Sequence, residues 1–189
     1  MTYRIEVSPR PGYLSEAADA LASEIKGLGI SGAGTVKISR LFFLKGELSS
    51  EDVHQLTVEV LADDVIETYT IRESGEGTAS SQNGYIEVSS KPGVTDTVAE
   101  TLSESARQLG IAGALQTATA IRYSVAGDLN QAELERIARG LLANEVVEQW
   151  SIGEEIEPPF ANTVSVKGQI DRIPLRAATD DRLLEISQE

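Results

Sequence analysis

Ile86-Glu87-Val88-Ser89-Ser90-Lys91-Pro92-Gly93 restates Ile5-Glu6-Val7-Ser8-Pro9-Arg10-Pro11-Gly12 at an offset of 81 positions (86 minus 5). The same offset, without a gap, lays Leu28-Gly29-Ile30 on Leu109-Gly110-Ile111, Gly32-Ala33 on Gly113-Ala114 and Gly46 on Gly127. It also lays Leu61 to Glu67 on Leu142 to Glu148, and Tyr69 on Trp150. A period this long, used twice and without slippage, denotes two copies of one small domain, because solenoid repeats are shorter and more numerous. The chain divides into a first repeat at 1–73, a flexible linker at 74–84, a second repeat at 85–154 and a tail at 155–189. A unit of this size buries only about 60% of its unfolded surface, so each copy is expected to lean on the other.

Both copies carry the same element pattern. Tyr3 to Ser8 alternates apolar and polar residues as a half-buried strand does, and Pro11-Gly12 then breaks the ladder. Ser15 is placed to cap a helix with Ala17, Leu21, Ile25 and Leu28 on one stripe, closed by Gly29. The second copy repeats this with Thr95 or Asp96 as cap, Val98, Leu102, Ala106 and Leu109 as stripe, and Gly110 as stop. Thr35 to Lys45 has no glycine, proline, asparagine or aspartate at which to turn, so it reads as one long strand, matched by Thr117 to Val125. Ser49 or Ser50 then caps a helix with Val53, Leu56, Val60 and Leu61 at helical spacing. Asn130-Gln131-Ala132-Glu133 resembles a capping box ahead of Leu134, Ile137, Leu141 and Leu142. The last strands run from Val65 to Ile71 and from Val146 to Ile152. The predicted fold class is α+β: tandem β-α-β-α-β repeats packed as a pseudo-two-fold, two-layer sandwich in which the copies share a β-layer covered by helices.

The linker, Ser74 to Gly84, has tether composition. Glu154 to Ile173 reads as loop or extended chain, and Thr179 is placed to cap a helix from Asp180 to Glu189.

Composition excludes several functions. With 30 acidic against 16 basic residues the formal net charge is −14, which suits a well-solvated surface and argues against nucleic acid, whose phosphates attract basic surfaces. There is no cysteine and one histidine, His54, so transition-metal and thiolate chemistry lack ligands. No Gly-x-Ser-x-Gly elbow surrounds a serine, and neither Gly32-Ala33-Gly34 nor Gly75-Glu76-Gly77 has phosphate-loop spacing. No catalytic, cofactor-binding or metal residue is therefore expected. Glu67 and Glu148 are equivalent carboxylates that a two-fold arrangement would be able to bring together, or that stand apart as strand-edge residues. Pro11-Gly12 and Pro92-Gly93 define the repeated turn, either as a simple turn or as an amide-lined anion site. Leu41 and Phe43 face away from the first strand stripe, and their counterparts are Arg122 and Ser124. With Tyr123 they form the candidate partner interface, core packing being the alternative. No apolar span or basic leader follows Met1, and a cytoplasmic location is expected.

Lys91-Pro92-Gly93-Val94, Leu109-Gly110-Ile111 and Leu141 to Ile152, echoed by Arg10-Pro11-Gly12, Leu28-Gly29-Ile30 and Leu61 to Ile71, resemble the PurS family in order and spacing across residues 3–154. The resemblance implies a non-catalytic part of phosphoribosylformylglycinamidine synthase in purine biosynthesis. It implies as partners a synthetase of the PurL type and a glutaminase of the PurQ type, between which ammonia passes, with ATP and magnesium belonging to the synthetase. PurS normally acts as a homodimer, so two copies on one chain imply a covalent version of that pair. The linker and tail depart from the family pattern, and Ile173 to Ile186 looks like a connector into a synthetase domain, leaving open whether the chain is whole or a piece. A tandem regulatory module of the ACT type is the alternative; it needs a hairpin between its helices, for which Thr35 to Lys45 offers no turn.

Overall fold

A computed structural model of the chain describes residues 1–13, 15–73, 84–111, 115–160, 179 and 183. The first copy contributes strand β1 (Thr2–Pro9), helix α1 (Glu16–Gly27), strand β2 (Val36–Lys45), helix α2 (Ser50–Leu56) and strand β3 (Glu67–Glu73). The second contributes β4 (Tyr85–Ser90), α3 (Thr97–Gln108), β5 (Gln116–Val125), α4 (Gln131–Ile137) and β6 (Glu148–Ile152). All six strands join one antiparallel sheet in the order β3-β1-β2-β5-β4-β6.

The repeat is preserved in register. Ile5 lies opposite Phe42 and Ile71 in the first copy; their counterparts Ile86, Tyr123 and Ile152 are opposed in the same way in the second. The copies meet along β2 and β5, where Arg40 faces Ile121, its own repeat equivalent. The pseudo-two-fold axis passes between these two residues, and the long strand without a turn is what makes this seam possible.

Strand alternation sends Tyr3, Ile5, Val7, Phe42 and Leu44 to one face, and the helices cover that face, α2 and α4 within their own copy and α1 and α3 with their places exchanged. Leu21 and Ile25 of α1, a first-copy helix, pack with Ile86, Val88, Leu134 and Ile137 of the second copy. Leu102 and Ala106 of α3 pack reciprocally with Ile5, Phe42, Val53 and Leu56 of the first. Each core is thus built from both repeats, which is how units too small to bury enough surface alone become one folding unit. Arg136 of α4 seals the exchange by donating to the Leu28 carbonyl at the C-terminus of α1, 2.7 Å away, where a cation also suits the helix dipole. Nearby, the Gly34 amide donates to the Ala126 carbonyl at 2.6 Å. Gly127 (φ +124°) sits so close to the Gly32 carbonyl that a Cβ would collide with it, which requires glycine there.

Helix caps agree with expectation and extend it. Ser15 and Asp96 cap α1 and α3, Asn130 and Glu133 form a capping box, and Ser49 with Asp52 forms a second one. The helical stripes need correction. Ala18 and Ala99 are buried where Ala17 and Val98 were expected, Val98 being exposed. The chain therefore enters the core at spacings of three, four and three rather than four, four and three. After α2 and α4 the backbone widens into π-helical turns, Thr57–Leu61 and Ala138–Leu142, closed by i to i+5 bonds from Ala62 to Thr57 and from Ala143 to Ala138. The extra residue in the turn shifts the phase, so Leu61 is buried and Val60 faces out. Val65 and Val146, read as strand starts, instead lie in exposed turns, and β3 and β6 begin at Glu67 and Glu148.

Most of the linker, Gly113-Ala114 and most of the tail lie outside the described residues. Of the proposed tail helix, Thr179 and Leu183 are described, the Leu183 amide donating to the Thr179 carbonyl at 3.0 Å as in one helical turn.

Candidate functional site

Strand alternation sends a second set of residues to the face that the helices leave bare: Arg4, Glu6 and Ser8 of β1, Leu41 and Phe43 of β2, Arg72 of β3, Tyr85, Glu87 and Ser89 of β4, and Ala120 and Arg122 of β5. Near the seam this face carries charge yet is buried. Glu87 is fully buried and Arg4 is 5% exposed. Burying such groups is costly unless they are paired and hydrogen-bonded, and here they are.

Glu87 is the hub. Its Oε1 accepts from Arg4 Nη2 and from Arg122 Nε at 2.7 Å, with Arg122 Nη2 2.6 Å away, and its Oε2 accepts from the Ile156 amide at 2.8 Å. Arg122 also reaches Glu6 through Nη1 at 2.7 Å. Both Arg4–Glu87 and Arg122–Glu6 cross from one copy to the other, so the cluster clamps the seam. Burial works against the charge on Arg122, but Glu87 and Glu6 beside it hold its proton more firmly than on an isolated arginine. Burial, with the neighbouring charge of Glu87, raises the Tyr85 phenol. The arginines also stack on rings, Arg4 over Phe43 at 5.2 Å and Arg122 over Tyr85 at 4.6 Å.

The segment after β6 closes this face. Gly153 turns the chain at φ +71°, Glu155 pairs with Arg72, and Ile156 packs with Leu41, Phe43, Ala118 and Ala120, with Phe160 against the same cluster. Lys45 sits over the Phe160 ring at 5.6 Å. Burial would raise the Glu155 carboxyl, but the hydrogen bond from Arg72 and the charges of Arg4, Arg72 and Arg122 hold it below the ordinary glutamate value. The sequence reads Glu154 to Ile173 as loop, and periodicity had no means of showing that 155–160 is a cover.

The structure separates the candidate interface residues. Leu41 and Phe43 are 0% and 1% exposed beneath the chain's own Ile156. Tyr123 is on the opposite, helix-covered face, packed against the second core, where burial and Glu148 raise its phenol. Leu41 also meets the sister copy, lying opposite Ala120 across the seam. The repeated turns are simple turns. Tyr13 and Val94 donate to the Arg10 and Lys91 carbonyls at 3.1 and 3.0 Å, with Pro11 and Pro92 second and Gly12 and Gly93, both at φ +91°, third, as in a type II turn.

Glu67 and Glu148 do not come together, because β3 and β6 are the two outer strands. Each closes its own turn, accepting from the Asp63 amide at 3.0 Å and the Asn144 amide at 2.7 Å, and Glu67 also pairs with Arg40. His54 is exposed and shares a hydrogen bond with Tyr69 Oη at 3.1 Å; at the equivalent place Trp150 Nε1 donates to Glu135 at 3.3 Å. Among the described residues no group of acids and histidine is placed to hold a metal ion, and no helix is long and apolar enough to cross a membrane. The most deeply buried carboxylate, Glu87, meets four donor atoms, three at Oε1 and one at Oε2. It is 0% exposed and pairs across the seam, so the arrangement clamps strands.

A profile of the PurS family, described as phosphoribosylformylglycinamidine (FGAM) synthase, matches the chain twice, over residues 2–75 and 83–155. No curated protein gives a match.

Proposed function

The chain belongs to the PurS family of phosphoribosylformylglycinamidine synthase and purine biosynthesis, and from that footing we propose that it is a non-catalytic bridge between the glutaminase and ATP-dependent synthetase parts of that enzyme. The observation that supports this reading is the construction of the seam. Exchanged helices and cross-copy ion pairs tie both repeats into one body, while the carboxylates at its centre are engaged in structural bonds. A body of this kind contributes alignment rather than chemistry.

Alignment matters to ammonia transfer because ammonia released into water is diluted and protonated before it reacts. A bridge that holds a PurQ-type glutaminase against a PurL-type synthetase raises the effective concentration of one active site at the other. ATP and magnesium act in the synthetase part, and the assembly works in the cytoplasm. The test compares glutamine with free ammonia as nitrogen source, with and without residues 1–154. Glutamine-dependent turnover should collapse without them while ammonia-dependent turnover falls less; undiminished glutamine-dependent turnover refutes the bridge.

A further inference from the structure

We propose that the ion cluster on the helix-free face contains an exchangeable carboxylate-binding site, filled in the free chain by the chain's own Glu155. Three guanidinium groups converge on one oxygen, Glu155 Oε1: Arg72 Nη2 in hydrogen-bond contact, Arg122 Nη2 at 3.4 Å and Arg4 Nε at 3.6 Å. These arginines stand on β3, β5 and β1, so the sheet itself holds them in place. The carboxylate comes instead from the segment beyond Gly153, outside any strand.

Charge counting gives the ligand class. Arg4, Arg72 and Arg122 supply three positive charges, Glu6 and Glu87 supply two negative ones, and one positive charge remains. A carboxylate monoanion balances it, whereas a phosphate dianion overfills it. The fit of Glu155 is incomplete. Arg4 is 5% exposed, and its Nε is a buried donor without a hydrogen-bond partner, 3.6 Å from the same oxygen. Leaving such a donor unpaired is costly, so a better-seated carboxylate gains what Glu155 forgoes. Glu155 is also the most exposed member, its side chain 25% accessible against 6% for Arg4 and 0% for Glu87. Next to the charge site lies the apolar floor of Leu41, Phe43, Ala118 and Ala120 that Ile156 covers. The site therefore suits an acidic residue followed by an apolar one on a peptide, with a small free carboxylate as the other source of the same chemistry.

The experiment is chemical rescue in the full chain, with formate as probe. In Glu155→Ala, formate should raise Tm beyond sodium chloride of equal ionic strength, by roughly 3–6 °C at about ten times Kd and further with the logarithm of its concentration. Wild type and the double variant Glu155→Ala/Arg72→Ala should respond to formate only as to chloride. Equal responses in all three proteins, or none in Glu155→Ala, overturn the proposal. A second measurement needs no variant. In labelled wild-type chain the Ile156 amide, bonded to Glu87, should exchange faster when excess unlabelled peptide of sequence 154–160 is added. The same peptide carrying Glu155→Gln should have no effect, and equal acceleration by both peptides overturns the role of the carboxylate. Formate rescue without peptide displacement assigns the site to small free carboxylates, and failure of both measurements overturns it.

Discussion

The two repeats share a backbone pattern, and their centres diverge most on one face. At the centre of the helix-covered face the strand residues correspond in kind, Ile5 with Ile86, Val7 with Val88 and Phe42 with Tyr123, whereas at its margins Tyr3 answers to Gly84 and Arg40 to Ile121. On the bare face Arg4 corresponds to Tyr85, Leu41 to Arg122 and Phe43 to Ser124, and only Glu6 and Glu87 keep their charge. The first copy thus carries its cation on its first strand and its ring on its second, and the second copy reverses them. Each cation still stacks on the ring of its own copy and pairs with the glutamate of the other. Two genetically independent halves are free to diverge in this way, because a change in one is answered in the other; a homodimer must repeat every change on both sides.

The comparison is broken most severely at its one shared feature. Glu87 and Glu6 are equivalent, but Glu87 is fully buried between two arginines while the Glu6 side chain is 17% exposed and pairs with one arginine, Arg122, beside the Ser8 hydroxyl. Glu87→Ala leaves uncompensated buried cations and should cost about 3–5 kcal/mol, a fall in Tm of roughly 6–20 °C. Glu6→Ala should cost distinctly less. Equal losses in thermal unfolding would mean that the two glutamates do equivalent work and that the asymmetry is superficial.

A step smaller is Leu41→Ala, at the position Arg122 occupies in the second copy. Leu41 lies under Ile156, so a loss of about 2–5 kcal/mol in denaturant unfolding is expected, with assembly affected only through stability. Full stability combined with failure to assemble would restore Leu41 and Phe43 as a surface for a partner.

The smallest effect concerns pH. Glu155 has its carboxyl held below the ordinary value of 4.5 by Arg72 and its neighbours, against the effect of burial. A lowered carboxyl stabilises the fold fully above the unfolded value and loses that contribution as pH falls through the folded one. Stability should therefore be flat in this contribution above about pH 5 and decline below. Glu155→Gln should flatten that acid limb, and an unchanged limb would show that the cover segment carries no such linkage. Partial exposure of Glu155 keeps the effect modest.

What was legible in the sequence was whatever repeats locally. Ser15, Asp96 and Asn130 announce helix starts, Gly29 and Gly110 announce stops, and the lack of a turn between Thr35 and Lys45 gives the long seam strand. The shared sheet followed from gaplessness and size. Phase within helices was less secure, since Ala17 and Ala18 differ by one position in a run of alanines, and no residue type marks the π-helical turn that puts Val60 outside. Val65 and Val146 misled because an exposed valine in a turn looks like a strand start. The charged cluster was hidden for a different reason. Arg4, Glu87, Arg122 and Glu155 are far apart in the chain, each looks like an ordinary surface charge in its own segment, and only strand pairing across the seam and the turn after β6 bring them together. The cover by 155–160 was hidden likewise, because its apolar residues have no period.

The account rests on the claim that neither repeat has a core of its own, and one measurement addresses it directly. A protease site placed between Gly77 and Ser81 allows the chain to be cut after folding. The two halves should then co-elute in gel filtration and unfold in a single transition, because α1 still covers the second copy and α3 the first. Two fragments that separate, each folded and each with its own transition, would contradict it.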